Sequence, residues 1–389
     1  MYDVVVAGGG PAGLCAAIAA ARQGMRVCVL EREAAFGIPT RTSGGTFLAD
    51  MQALGVPERL LNPVTRVRFL GPTTATSVRI EPAVVGVLDV RGLYQWLAER
   101  AAEEGAELHL RSTVTGMQAH GDGVAVSVRG HGGEWRAAAR WAVDATGVAA
   151  VLSGAERPAY RRRGVGVELD MAAPGVPLDT CWLAMGGEVA PSGYGWVFPY
   201  RPGRVRVGVG VLRPDAQADP RDHLDRLLAL PELREALAGA QPVETHAGLI
   251  PAEPLRPALV GPRLVAVGDA SAQASTLVGE GIRFAMRAGS GAGRAVAEAV
   301  RAGDDAPVRA FDAAWRDRFG RDFGLAYRLS QSMARFSDAS WDRAVRAIGE
   351  MPPWFVAEAL GTRFRAASIL RVAARHPGAM HRVLRAARG

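Results

Sequence analysis

A chain of 389 residues that is 49% hydrophobic can bury a large core, and its length suggests roughly two to three domains. No run of about eighteen uncharged apolar residues occurs, and Met1-Tyr2-Asp3 leads straight into Val4-Val5-Val6 without a cationic leader, so neither membrane span nor export signal is expected and a cytoplasmic location is predicted. The formal charge is +7 and all basic residues are arginine, which excludes a Schiff-base or catalytic lysine.

In chain order, the segment DVVVAGGGPAGLCAAIAAARQGMRVCVLERE from Asp3 reads as an apolar strand (Val4 to Ala7), a glycine turn, an alanine-rich helix (about Ala12 to Gln23) and a second strand (Arg26 to Leu30) ending at Glu31. Gly8, Gly10 and Gly13 form G-x-G-x-x-G between strand and helix. Gly8 suits the tight turn, Gly10 lets the backbone approach a pyrophosphate, Gly13 permits close helix–strand packing, and Glu31 can accept ribose hydroxyls. This predicts a dinucleotide site.

TRVRFLGPTTATSVRIEP reads as paired strands, and AELHLRSTVTGM and ARWAVDATGVA as strands of the dinucleotide domain. VGVELDM, TCWLAMGG and GYGWVFPYRPGRVRVGVGVL alternate as in an antiparallel sheet, with Pro202-Gly203 marking a turn. Within that last stretch Tyr194, Trp196, Phe198 and Tyr200 share one strand face by their period of two, forming either a packed sheet face or the wall of a pocket. DPRDHLDRLLALPELREAL is helical. PRLVAVGDASAQASTLVGEGIRFAMRAG then reads as a strand, Gly268-Asp269, a loop and a helix opened by Gly279-Glu280-Gly281-Ile282, whose free N–H groups suit an anion or electron-rich ring edge.

From about Ala306 the chain is helix-rich, with Trp315, Phe319, Phe323 and Tyr327 forming a stripe expected to be core. Between Arg363 and Gly389 stand Arg363, Arg365, Arg371, Arg375, Arg382, Arg385 and Arg388 with no acid. That tail reads as a solvated helix face or as a peripheral contact with an anionic membrane surface. No motif points to nucleic acid. Cys15, Cys28 and Cys181 are scattered among apolar neighbours and are expected to be small buried hydrophobes, and no histidine spacing suggests a metal.

With these motifs read, the chain resembles the geranylgeranyl reductase family of FAD-dependent oxidoreductases, within the p-hydroxybenzoate hydroxylase-like flavoproteins. The resemblance covers most of residues 1 to about 300, and its narrowest motif is P-x-x-Y-x-W-x-F-P, met by Pro191, Tyr194, Trp196, Phe198 and Pro199. It implies an α/β fold: a Rossmann-type FAD-binding domain (glutathione reductase/p-hydroxybenzoate hydroxylase-like) over 1–65, 86–150 and 258–300. An inserted antiparallel-sheet substrate domain would occupy 66–85 and 151–257, and a C-terminal helical region 301–389.

The resemblance further implies that Gly8, Gly10, Ala12 and Gly13 hold the FAD pyrophosphate, that Glu31 and Arg32 serve the adenosine side with Val114, and that Arg91 reaches the cofactor. Asp269 would meet the ribityl and pyrophosphate region, with Gly147 near it in the cofactor site, and Gly279, Gly281 and Ile282 would approach the isoalloxazine. Gly37, Pro39, Arg41 and Gly45 match the stretch G-x-P-x-R-C-G-x-G, bringing Thr42 and Ser43 to the flavin. The family's cysteine falls on Thr42, and the proline of P-L-T-G-E-G-I falls on Thr276.

Pro191, Tyr194, Trp196, Phe198 and Pro199 are then substrate-binding, with Tyr194, Trp196 and Thr42 as catalytic candidates. The implied reaction is saturation of isoprenoid C=C bonds by hydride from reduced flavin N5 plus a proton, with NAD(P)H, ferredoxin or a partner reductase as electron donor. A flavin monooxygenase is the alternative, although Thr146 replaces the aspartate of the usual Ala-Asp-Gly. A flavin halogenase would need a lysine that the chain lacks. A prenyl-lipid carrier without redox work is the non-enzymatic alternative.

Overall fold

The structure, a computed structural model, describes residues 1–154 and 159–378. Three sheets organise them. In the first, Leu264–Ala266, Gly133–Asp144, Tyr2–Ala7, Val27–Leu30 and Glu107–His109 run parallel in that order, edged by Leu259–Gly261. Val4, Val5, Val6 and Ala7 are all fully buried, as a central parallel strand covered on both faces requires. A meander of Thr113–His120 and Gly123–Gly130 extends Gly133–Asp144 antiparallel; the second of its strands has no counterpart among the sequence-based elements.

The first strand turns through Gly8 into the helix Pro11–Ala21, where proline at the helix start costs no hydrogen bond. Helix Ile282–Ala302 crosses it closely. Cβ atoms at Gly289 and Gly293 would stand 2.0 and 2.3 Å from the carbonyl oxygens of Ala12 and Ala16, so only glycine allows this approach. The matching order of these contacts makes the helices parallel, with Ile282–Ala302 beginning about 9 Å before the level at which Pro11–Ala21 starts, by helical rise.

The second sheet has the order Gln241–Pro251, Arg163–Ala172, Arg204–Arg213, Ala190–Arg201, Thr180–Gly186, Arg66–Leu70, Ala75–Arg79. It is antiparallel except that Thr180–Gly186 and Arg66–Leu70 run parallel, a departure from the purely antiparallel expectation. On one face Val197, Val205, Val207 and Val209 pack under Leu224, Leu227 and Leu233 of the helices Pro220–Leu228 and Pro231–Ala236. The opposite face meets the C-terminal helices Asp338–Glu350 and Pro353–Leu360 through Trp341, Val345 and Val356. A small third sheet joins Gly45–Phe47, Val85–Leu88 and Leu61–Val64.

In the long helix Ala306–Met333, Trp315, Phe319 and Phe323 stack with Phe284 as core. Tyr327 leaves that stripe, its ring lying under the Arg162 guanidinium. Cys15, Cys28 and Cys181 are buried.

Candidate functional site

The glycine turn is built from backbone. Gly8 has φ +103°, and a Cβ there would strike the Ala145 carbonyl oxygen at 2.3 Å; one on Gly13 would lie 2.0 Å from the Gly8 oxygen. A Cβ on Gly10 would meet nothing within 4 Å, so the space before the uncapped helix start is open. The Glu31 carboxylate accepts hydrogen bonds from Gly9 N (2.7 Å) and Glu33 N (2.9 Å), which holds it against this turn. Arg32 and Arg41 both pair with Glu33.

Asp144, fully buried at the end of its strand, accepts from the Thr146 amide and hydroxyl and from Ser153. Thr146 therefore shapes the turn that presents Gly147, at φ +71°. Asp269 Oδ1 would lie 3.7 Å from a Cβ on Gly281, which puts that carboxylate beside the start of Ile282–Ala302. Burial pushes its pKa up to about 6. Gly281 is the uncapped N-cap of that helix, and Ile282 is buried behind it.

A cavity of about 500 Å³ opens beside this second helix start. Thr42, Ser43, Gly45, Gly279, Gly281 and Ile282 line it at one end. Tyr194, Trp196 and Phe198 form one wall, with ring centroids 5.8 and 6.5 Å apart in sequence. The Trp196 indole lies over Gly166, Gly208 and Gly210 of neighbouring strands; a Cβ on Gly208 would come within 2.4 Å of it. Tyr194 donates its hydroxyl to Val278 O at 2.5 Å, joining the aromatic strand to the loop before the helix.

Two predicted cavity positions of the aromatic strand lie elsewhere. Pro191 and Pro199 do not line the cavity: strand alternation turns their side chains away from the face of Tyr194, Trp196 and Phe198. Tyr200 shares that face but is sealed from the cavity, its ring covered by Arg206 at 4.1 Å and its hydroxyl bound to Asp170 at 2.9 Å. Val114 packs into the core beside Cys28 and Leu30. Arg91 pairs with Glu244 at 2.9 Å.

The far wall had no signal in the sequence. Met333, Trp341, Ile348, Phe355 and Leu360 of the C-terminal helices, with Phe336 of the linker between two of them, close the cavity. Arg363 belongs to this closure: it shares the buried Asp50 carboxylate with Arg283 and Arg287, and Arg283 also donates to Gly361 O. So the first arginine of the basic tail, though half-exposed, is committed to a buried carboxylate. Arg382, Arg385 and Arg388 lie outside the described residues. Glu168 and His246 also line the cavity, though neither belongs to a recognisable motif.

The residues present fit a flavin dinucleotide. The open space before Gly10 and the uncapped helix start offer N–H groups to a pyrophosphate, and Glu31 stands at the position of a ribose acceptor. At the cavity end, Thr46 Oγ1, Thr276 Oγ1 and Glu280 Oε1 are buried without a protein partner, so polar groups there await a ligand.

Comparison with known proteins agrees. The FAD dependent oxidoreductase family model matches residues 3–166, and the geranylgeranyl reductase catalytic domain model matches residues 164–250. Digeranylgeranylglycerophospholipid reductase 2 of Methanothermobacter thermautotrophicus is 31% identical over 364 residues, covering 89% of this chain and 91% of that protein. Its namesake in Methanopyrus kandleri is 29% identical, covering 89% and 90%. A geranylgeranyl bacteriochlorophyll reductase-like protein of Thermoplasma acidophilum shares the fold with a TM-score of 0.85 at 24% identity over 99% of both chains.

The class is thus an FAD-dependent oxidoreductase, an enzyme whose cofactor is FAD. More narrowly, the chain belongs to the geranylgeranyl reductase family, as its likeness to the Methanothermobacter protein over most of both chains shows.

Proposed function

We propose that the protein saturates C=C bonds of an isoprenoid chain held in the aromatic-walled cavity. The observation that carries this reading is the cavity itself, walled mostly by apolar side chains and meeting the Gly279–Ile282 turn at one end. An isoprenoid offers almost nothing to hydrogen-bond, so its affinity must come from buried apolar area, about 25 cal/mol per Å². Bound FAD supplies hydride when reduced. The protein's own residues do the rest. Trp196, fixed by its glycine floor and by donating Nε1–H to Glu168 at 3.0 Å, gives the chain a rigid surface. Tyr194 ties that surface to the turn before the helix, and the C-terminal helices exclude water. Thr42, Tyr194 and Trp196 act in this reading by positioning, and Gly8, Gly10, Ala12, Gly13, Glu31 and Asp269 by binding the cofactor.

Electrons arrive in this reading from transiently bound NAD(P)H or from a partner such as a ferredoxin or reductase. The substrate arrives from a lipid surface met by the helix Ala366–Arg375, where Leu370 is 70% exposed and Arg371 lies over the ring of the partly exposed Trp354. No helix among the described residues is long and apolar enough to cross a membrane.

The test is anaerobic: reduce the flavin, add a geranylgeranyl lipid and weigh the product. A gain of about two mass units per alkene, one hydride and one proton, is expected. Product that needs oxygen and gains about sixteen overturns the reading in favour of a monooxygenase.

A further inference from the structure

Reduction of an alkene consumes a proton as well as a hydride, and an isoprenoid carries several alkenes. The cavity therefore needs an acid that can be reloaded. Most of its ionisable lining groups are poor candidates. Burial pushes the Tyr194 phenol and the Cys181 thiol upward, and Tyr194 already donates to Val278 O. Glu280 is also pushed up by burial, but it is held by Arg283 and shut from solvent.

One row of side chains differs. His246, Glu168, Gly208 and Trp196 stand opposite one another across four adjacent strands. Because position 208 carries no side chain, the Trp196 indole reaches over it to Glu168 Oε2 at 3.0 Å. His246 Nδ1 lies 3.2 Å from Glu168 Oε1, and His246 Nε2 lies 3.0 Å from Glu244 Oε2. Glu168 and His246 are 3% and 5% exposed, whereas the Glu244 side chain is 37% exposed. The row thus runs from solvent to the cavity wall.

Its charged neighbours are few. Arg206 Nε lies 3.9 Å from Glu168 and 3.8 Å from Asp170, and Arg206 Nη1 donates to Ser43 O, beside Thr42. Arg91 pairs with Glu244, and Arg204 with Asp170. Burial opposes charge on His246, but hydrogen bonds to Glu168 and then Glu244 outweigh it and raise its pKa, with Arg206 opposing. The imidazolium thus persists above the pH at which a free histidine loses its proton.

We propose that Glu244, His246 and Glu168 form a proton relay from solvent to the alkene, with Glu168 as the proton donor at the cavity. This rests on the reductase reading. As the π bond breaks, one carbon gains the hydride and the other gains a proton that His246 Nδ1 gives up through the Glu168 carboxylate. The neutral imidazole left behind is recharged at Nε2 from water through Glu244. Glu168 is the catalytic residue, while His246 and Glu244 act through it.

The test uses the flavin-loaded protein. Nitrogen NMR of the His246 ring in the oxidised enzyme should show a pKa above the ordinary histidine value, lowered in Glu168→Gln and in the milder Glu244→Gln. The reduced enzyme is then mixed with geranylgeranyl diphosphate, and both flavin reoxidation and saturated product are followed against pH. Wild-type turnover should fall as pH rises through the His246 titration. Glu168→Gln should lose about 10²-fold or more, with Glu168→Asp recovering part. Glu244→Gln should move the midpoint to lower pH.

A wild-type enzyme that leaves every alkene intact overturns the reductase reading and the relay with it. A wild type that saturates alkenes while Glu168→Gln and Glu244→Gln keep its rate and pH profile overturns the relay alone. So does a profile abolished only by Glu280→Gln.

Discussion

The two ends of the site are made differently. The dinucleotide end is a backbone device from a short continuous segment, where Gly8 and Gly13 are required because any side chain would meet carbonyl oxygens. The cavity end is a side-chain device whose walls come from the 42–47 loop, the seven-stranded sheet, the 276–282 turn and the C-terminal helices. Backbone sites tolerate no added atom, whereas side-chain walls lose function by removal. Substitutions at the first end should therefore abolish cofactor binding, and those at the second should spare the cofactor and impair the substrate.

The largest effect is expected for Gly13→Ala, whose new methyl group would stand 2.0 Å from the Gly8 oxygen. Purified protein should be colourless, or unfold with a loss of roughly 3 kcal/mol; a yellow variant with wild-type melting breaks the contrast at its first end. Next, Trp196→Ala should keep its flavin absorbance yet lose turnover by about 10²-fold, since the substrate loses its rigid surface. If it sheds flavin or unfolds instead, the ring belongs to the core.

Phe355→Ala trims the C-terminal wall. It should raise KM about tenfold for a geranylgeranyl substrate, leave kcat alone and barely affect a shorter geranyl one. A smaller effect separates the lipid surface from the cavity: Leu370→Glu should weaken cosedimentation with anionic vesicles a few-fold while turnover of a detergent-dispersed substrate stays unchanged.

The smallest effect concerns the polar row behind the cavity wall. Because His246 is raised in the folded chain, its protonation contributes stability that is fully present below the ordinary value of about 6.5 and lost as pH rises through the folded pKa. Thermal melting across that window should fall more steeply for wild type than for His246→Gln; parallel curves would mean the ring holds no extra proton.

Much of the first end was legible. The strand, glycine turn and helix of residues 3–21 stand where spacing placed them, because each depends on neighbours a few residues away, and Glu31 reaches back to the turn at Gly9 N; at the other end the helix opens at Gly281-Ile282 as its residues indicated. The aromatic alternation of Tyr194, Trp196 and Phe198 was equally legible, although the same alternation turned Pro191 and Pro199 out of the cavity. Tyr200 shows the limit of periodicity, which assigns a face but not the Arg206 guanidinium that covers the ring.

By itself, then, the sequence determined the local devices: a dinucleotide turn, a second helix start, an aromatic strand and the absence of lysine chemistry. These are set by backbone sterics and side-chain period, which act over a few residues. Only the tertiary structure decided that helices beyond residue 306 close the cavity, that Arg363 serves Asp50 rather than solvent, and that Glu168 and His246 meet under Trp196. Those contacts join segments tens to hundreds of residues apart, and no local pattern encodes which distant strand lies next to which.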